Sequence, residues 1–113
     1  MANQEQGNKL LSVNPSANPN LIREVPMNLG AEQALLGAII SNNLAYEKVE
    51  NFLRSDFFSS KINKIIFEAL KKIISNDQIA DINTLKIFLE GNEDFRKNGG
   101  LDYLLKISEN SLS

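Results

Sequence analysis

The stretch 60–75, SKINKIIFEALKKIIS, most narrowly limits what this chain can fold into. Ile62, Ile65, Ile66, Ala69, Leu70 and Ile73 recur at i, i+3, i+4, i+7, i+8 and i+11, which lines one face of a helix and contradicts the two-residue period of a strand. A helix with one apolar face gains most of its stability from the elements that cover that face. The rest of the chain must therefore supply a core for it.

Further helical signals flank this segment. Asn28, with Pro26 just outside, can cap a helix over about 29–41, in which Leu29, Leu36, Ile39 and Ile40 return at helical spacing. Leu35 and Ala38 widen that apolar sector beyond a single buried stripe, and Gly37 would let another backbone approach closely. The sector reads either as core or as an interaction surface, and Leu35 is its candidate partner contact. Asn43 is placed to cap a second helix with Ala45, Val49, Phe52 and Leu53 on its inner face, stopping near Ser55-Asp56. Asp81 caps toward Thr84 and starts a helix with Ile82, Leu85, Phe88 and Leu89 inward and Gly91 at its C-terminal cap. A turn of helix follows at 93–97. Gly99-Gly100 then breaks the chain before a last short helix carrying Leu101, Leu104, Leu105 and Ser108. No stretch sustains the alternation of a strand.

These elements predict an all-α, compact orthogonal bundle of about five to six short helices over 26–113. Phe52, Phe57, Phe58, Phe67, Phe88 and Phe95 are its expected large core side chains. Residues 1–25, rich in Asn and holding two of the three prolines, are expected to form a disordered N-terminal arm in which Leu10, Leu11, Leu21 and Ile22 could dock on a partner.

Chemistry is harder to find. The chain lacks cysteine and histidine, which removes disulfides, Cys/His zinc sites and histidine acid–base catalysis. No G-x-x-x-x-G-K-[ST] loop occurs, and Gly99-Gly100 has neither the following lysine nor the preceding strand of a phosphate cradle. Glu47/Glu50 and Glu90/Glu93/Asp94 are acidic clusters, one on an exposed helix face and one beside a loop. They have no pocket to tune them and no EF-hand spacing. Catalytic, cofactor and metal residues are accordingly none. The net charge of −2 gives no global pull toward phosphate backbones or membrane surfaces. Lys61, Lys64, Lys71 and Lys72 share a polar side of the central helix but are interrupted by Glu68, which reads as a solvated face ahead of a nucleic-acid groove. No apolar run approaches the roughly 20 residues of a membrane span and no signal peptide opens the chain, so a cytoplasmic location is expected.

Taken in order, AEQALLGAII with SNN after it, DFFSSKINKIIFEAL, IADINTLKIFLE and GGLDYLLKISENS resemble the N-terminal domain of the bacterial replicative DNA helicase, the DnaB family. The resemblance covers about 26–113. It implies a helical bundle in the N-terminal collar of a hexameric ring, acting in ring assembly and primase docking. Other helicase subunits, a DnaG-type primase and a helicase loader are its implied partners, and no direct nucleic-acid binding is expected. ATP and Mg would belong to a motor domain further along the parent chain, as would the subunit-pairing hairpin, so a segment ending near Ser113 is expected to be a domain without ATPase activity. Tyr103, in Gly-Gly-x-x-Tyr-Leu, is a candidate for the primase-facing surface. Gly30 stands where the family commonly has an acidic residue just before Ala-Glu-Gln, which removes a polar contact at the head of the first helix. Glu32 and Gln33 match the family and read as helix-start and local packing residues. The competing readings are a DNA-binding helical module and the helicase-binding domain of a primase.

Overall fold

The computed structural model describes residues 28–110, and the expected N-terminal arm lies outside them. Six helices follow in order: α1 Leu29–Ser41, α2 Leu44–Glu47, α3 Lys61–Ser75, α4 Ile82–Leu89, α5 Glu93–Lys97 and α6 Gly100–Asn110, with a 3-10 turn at Ser55–Phe57. Among the described residues there is no strand.

The central helix forms as its periodicity predicts. Ser60 caps α3, accepting from the Asn63 amide, and Ile62, Ile66, Ala69, Leu70 and Ile73 are buried along one face. Phe67 joins them, its ring 5.1 Å from Phe58 and 6.1 Å from Tyr46. α1 packs chiefly against α6 and then against α3, so Leu36, Ile39 and Ile40 close the core from one side while Leu104 and Ile107 meet them from the other. Most of the wide sector of α1 is therefore core. Leu35 is half-buried against it.

Several expectations are corrected. Asn43 makes no capping hydrogen bond. Its carboxamide donates to the Ile39 and Ala80 carbonyls at 2.8 and 2.9 Å and accepts from the Ala80 amide at 2.8 Å. It thus pins the segment before α4 to the end of α1, while the Asn42 side chain accepts from the Leu44 amide instead. The second helix is one turn long: Lys48 N bonds back to Ala45 O, three residues away, and turns replace helix over 48–52. Tyr46, 5% exposed, anchors this segment in place of the expected stripe, of which only Leu53 is buried. In α4 the reciprocal Asp81–Thr84 capping box sets the rotation so that Leu85 and Leu89 point inward and Phe88 is 48% exposed. Glu90, in right-handed helical geometry, caps α4, so Gly91 is not the left-handed C-cap. In α6 the inward positions are Leu104 and Ile107, with Leu101 and Ser108 half-buried and Leu105 turned outward.

Ile66 and Leu70 are 0% exposed at the middle of α3. Truncating either to Ala is expected to lower unfolding free energy by about 2–5 kcal/mol. Lys64→Ala, on the exposed side of the same helix, should cost under about 0.5 kcal/mol. Denaturant melts of the three variants compare these values; equal midpoints would mean a different buried face.

Candidate functional site

The polar residues of the family-like motifs meet inside the bundle. Asn28 accepts from the Ala31 amide at 2.7 Å, which fixes the first turn of α1 and directs Glu32 inward. Glu32 is 0% exposed, in the same register as Leu36, Ile39 and Ile40. It faces the start of α3. The Ser59 amide and hydroxyl donate to one carboxylate oxygen at 2.8 and 2.7 Å. The Asn63 carboxamide and the Ser60 amide donate to the other at 2.8 and 3.4 Å. Asn63 is also 0% exposed.

The network continues to α6. The Tyr103 hydroxyl donates to the Asn63 carboxamide oxygen at 2.5 Å, and the Gln33 side chain donates to the Tyr103 hydroxyl at 3.2 Å. Gly-Gly makes this approach possible. Gly99 has φ +120, and a Cβ there would stand 2.8 Å from the Tyr103 Cβ, so a side chain at 99 would displace the tyrosine. Gly100, at φ +54, turns the chain directly into α6.

Burial alone would raise the Glu32 pKa, but donation from Asn63, Ser59 and Ser60 outweighs it and holds the carboxyl below its ordinary value of 4.5. No cation pairs with it within 4.0 Å among the described residues. The α3 N-terminus supplies backbone donors and a favourable dipole in place of a counter-ion. Four donors fill the acceptor capacity of a carboxylate, so Glu32 has no lone pair left for a metal or a substrate. Its role is to tie elements together. Among the described residues no group of three or more His, Cys, Asp or Glu side chains is arranged to hold a metal ion, and no helix is long and apolar enough to cross a membrane.

Of the residues singled out from sequence, Tyr103 lies within this network and is half-buried. Gly30 is exposed one turn before Gln33, the residue that reaches Tyr103, so Gly30 and Gln33 share a face of α1. A side chain at 30 would find room, since its Cβ would meet only the Asn28 side-chain oxygen at 3.4 Å. Leu35 is turned roughly 200° from Gln33 around the helix and does not join them. The lysine row is discontinuous: Lys61 pairs with Asp94 at 3.3 Å, and Glu68 stands between Lys64 and Lys72. Sequence reasoning missed Glu32 and Asn63 as partners. Each occupies an apolar register of its helix, the signal of a polar side chain that must find its partner inside the core.

A small helical bundle whose polar centre fixes the relative placement of three helices is the class of domain that the fold defines. The comparisons make the assignment specific. A model of the DnaB-like helicase N-terminal domain matches residues 24–113, and the chain belongs to that family. It is 37% identical over 105 residues to the replicative DNA helicase DnaB of Rickettsia felis, covering 93% of this chain and 21% of that protein. It is 39% identical over 95 residues to the Rickettsia prowazekii helicase, covering 84% of this chain and 20% of the relative. Against the helicase of Buchnera aphidicola from Acyrthosiphon pisum it is 30% identical over 94 residues, covering 83% and 20%. The chain spans about a fifth of the length of these relatives.

Glu32→Gln should lower stability at pH 7 by about 1.5–3 kcal/mol, because an amide group must face donors where a carboxylate accepted. The sign follows from the depressed folded pKa: the ionised form contributes fully above 4.5, and the contribution is lost as pH falls from there through the lower folded value. Chemical denaturation of both proteins across that range should show the gap narrowing as pH drops below 4.5. A gap independent of pH would mean that the folded carboxyl is not held below 4.5, and a gap that shrinks as pH rises would mean that Glu32 is neutral in the folded state.

Proposed function

We propose that this chain is the N-terminal collar domain of a replicative DNA helicase, acting without catalysis of its own in ring assembly and primase docking. The family match over 24–113 carries this reading. The parent protein then supplies ATP- and Mg-dependent unwinding from a separate motor domain in the cytoplasm, and the partners of this domain are other helicase subunits, a DnaG-type primase and a helicase loader. The rival reading as the helicase-binding domain of a primase is disfavoured because the relatives described above are helicases. The DNA-binding reading is disfavoured by the broken lysine row.

In this reading the exposed surface above the polar network, at Gly30, Gln33 and the edge of Tyr103, is the primase-facing end of the domain. Its hydroxyl already engaged inside, Tyr103 presents ring edge to a partner. Leu35 contributes by supporting α1 from within.

Gly30→Glu would restore an acidic side chain at the head of α1. It is expected to tighten binding of the C-terminal domain of the cognate primase several-fold and to add about 0.3–1 kcal/mol of stability through the α1 dipole. Calorimetric titration of that primase domain into wild type and variant measures the first effect. Absence of any primase binding by the wild-type chain, or tight DNA binding that persists at high salt, would overturn the assignment.

A further inference from the structure

An open groove of about 440 Å³ runs between α3 and α4, away from the polar network. Ile65, Ala69 and Leu89 form its floor and Phe88 its rim, with Lys64 and Lys72 on the opposite lip. Two features of its lining bear on what it can bind. Phe88 leaves 48% of its area in solvent, although burying an aromatic of this size is normally favourable. Lys64 and Lys72 have no carboxylate within ion-pair distance among the described residues, even though Glu68 lies one turn from each. Glu68 instead acts on Tyr46, whose hydroxyl is pushed up by burial first and then by the charges of Glu50 and Glu68.

The charges define the occupant. Lys64 and Lys72 stand about 12 Å apart along α3, the length of two helical turns. A helix lying in the groove would answer them with two carboxylates two turns apart, and would seat a bulky apolar side chain between them against Phe88 and Ile65. Glu68, midway along the lip, repels a third carboxylate at the centre and equally disfavours a phosphate backbone. We infer that this groove binds an acidic amphipathic helix of a partner protein, held by an apolar anchor at Phe88 and Ile65 and by carboxylates facing Lys64 and Lys72. The inference stands apart from the collar assignment, because it rests on the groove alone.

The probe is a fluorescein-labelled amphipathic helical peptide with a central Phe/Leu stripe and two Glu residues two turns apart. Its twin has Lys in place of Glu. Fluorescence anisotropy with the 113-residue chain should show saturable binding of the acidic peptide, at least about tenfold tighter than the twin. Amide shifts on binding should cluster at Ile65, Ala69, Phe88 and Leu89. Lys64→Glu combined with Lys72→Glu should reverse the preference between the peptides, and Phe88→Ala should weaken both. All these positions are exposed or line the rim, and circular dichroism verifies that the variants fold. The inference is overturned by equal affinity for the twins, by a preference that charge reversal leaves unchanged, by shifts elsewhere, or by no saturable binding. It is equally overturned if sedimentation shows the chain self-associating through the groove, with Phe88→Ala abolishing that association, since the occupant would then be a second copy.

Discussion

A single buried carboxylate without a counter-ion organises this domain. Stripping water from an ionised group is costly, and Glu32 tolerates it only because four donors converge on it from the turn before α3 and from the α3 first turn. Those donors must hold fixed positions for the charge to be supported. The register between α1 and α3 is thereby set more narrowly than apolar packing would set it, since apolar contacts change little with a small slide while a hydrogen-bonded carboxylate does not.

From Asn63 the same constraint passes to α6. The carboxamide that donates to Glu32 accepts from Tyr103 through its other end, so rotating Asn63 breaks both bonds. Gly99 and Gly100 serve this geometry by clearing space and turning the backbone where the tyrosine approaches. A second polar clasp, Asn43 against Ile39 and Ala80, holds the opposite end of α1. The domain is pinned at two ends by side-chain amides and filled between them with aliphatic and aromatic residues. Such a body holds its surfaces at fixed spacing.

Much of this was legible in the sequence. The α3 stripe follows from the spacing of Ile62, Ile66 and Leu70, the ends of α1 from Asn28 and the Asn doublet, and the start of α4 from Asp81 and Thr84. Periodicity was less informative where an element is shorter than two turns: the stretch from Leu44 to Leu53 has helix-like spacing, but Tyr46 packs on Phe67 and the backbone turns away after one turn of helix. Rotation about an axis was also ambiguous when adjacent apolar residues compete, as with Phe88 against Leu89 and Leu105 against Leu104. The polar network was the least visible part. Glu32 looks like an ordinary acidic residue near a helix start, and only its apolar register, matched by that of Asn63 in a segment 31 residues away, hints that the two meet inside.

The central claim is that Glu32, Asn63 and Tyr103 act as one connected unit joining three helices. A double-mutant cycle between Glu32→Gln and Tyr103→Phe tests it most directly, because the two side chains share Asn63 without bonding to each other. Equilibrium denaturation of the four proteins at neutral pH should give a coupling free energy of at least about 0.5–1 kcal/mol, transmitted through the Asn63 carboxamide. Strict additivity of the two substitutions would contradict a connected network and reduce it to two independent hydrogen-bonded sites.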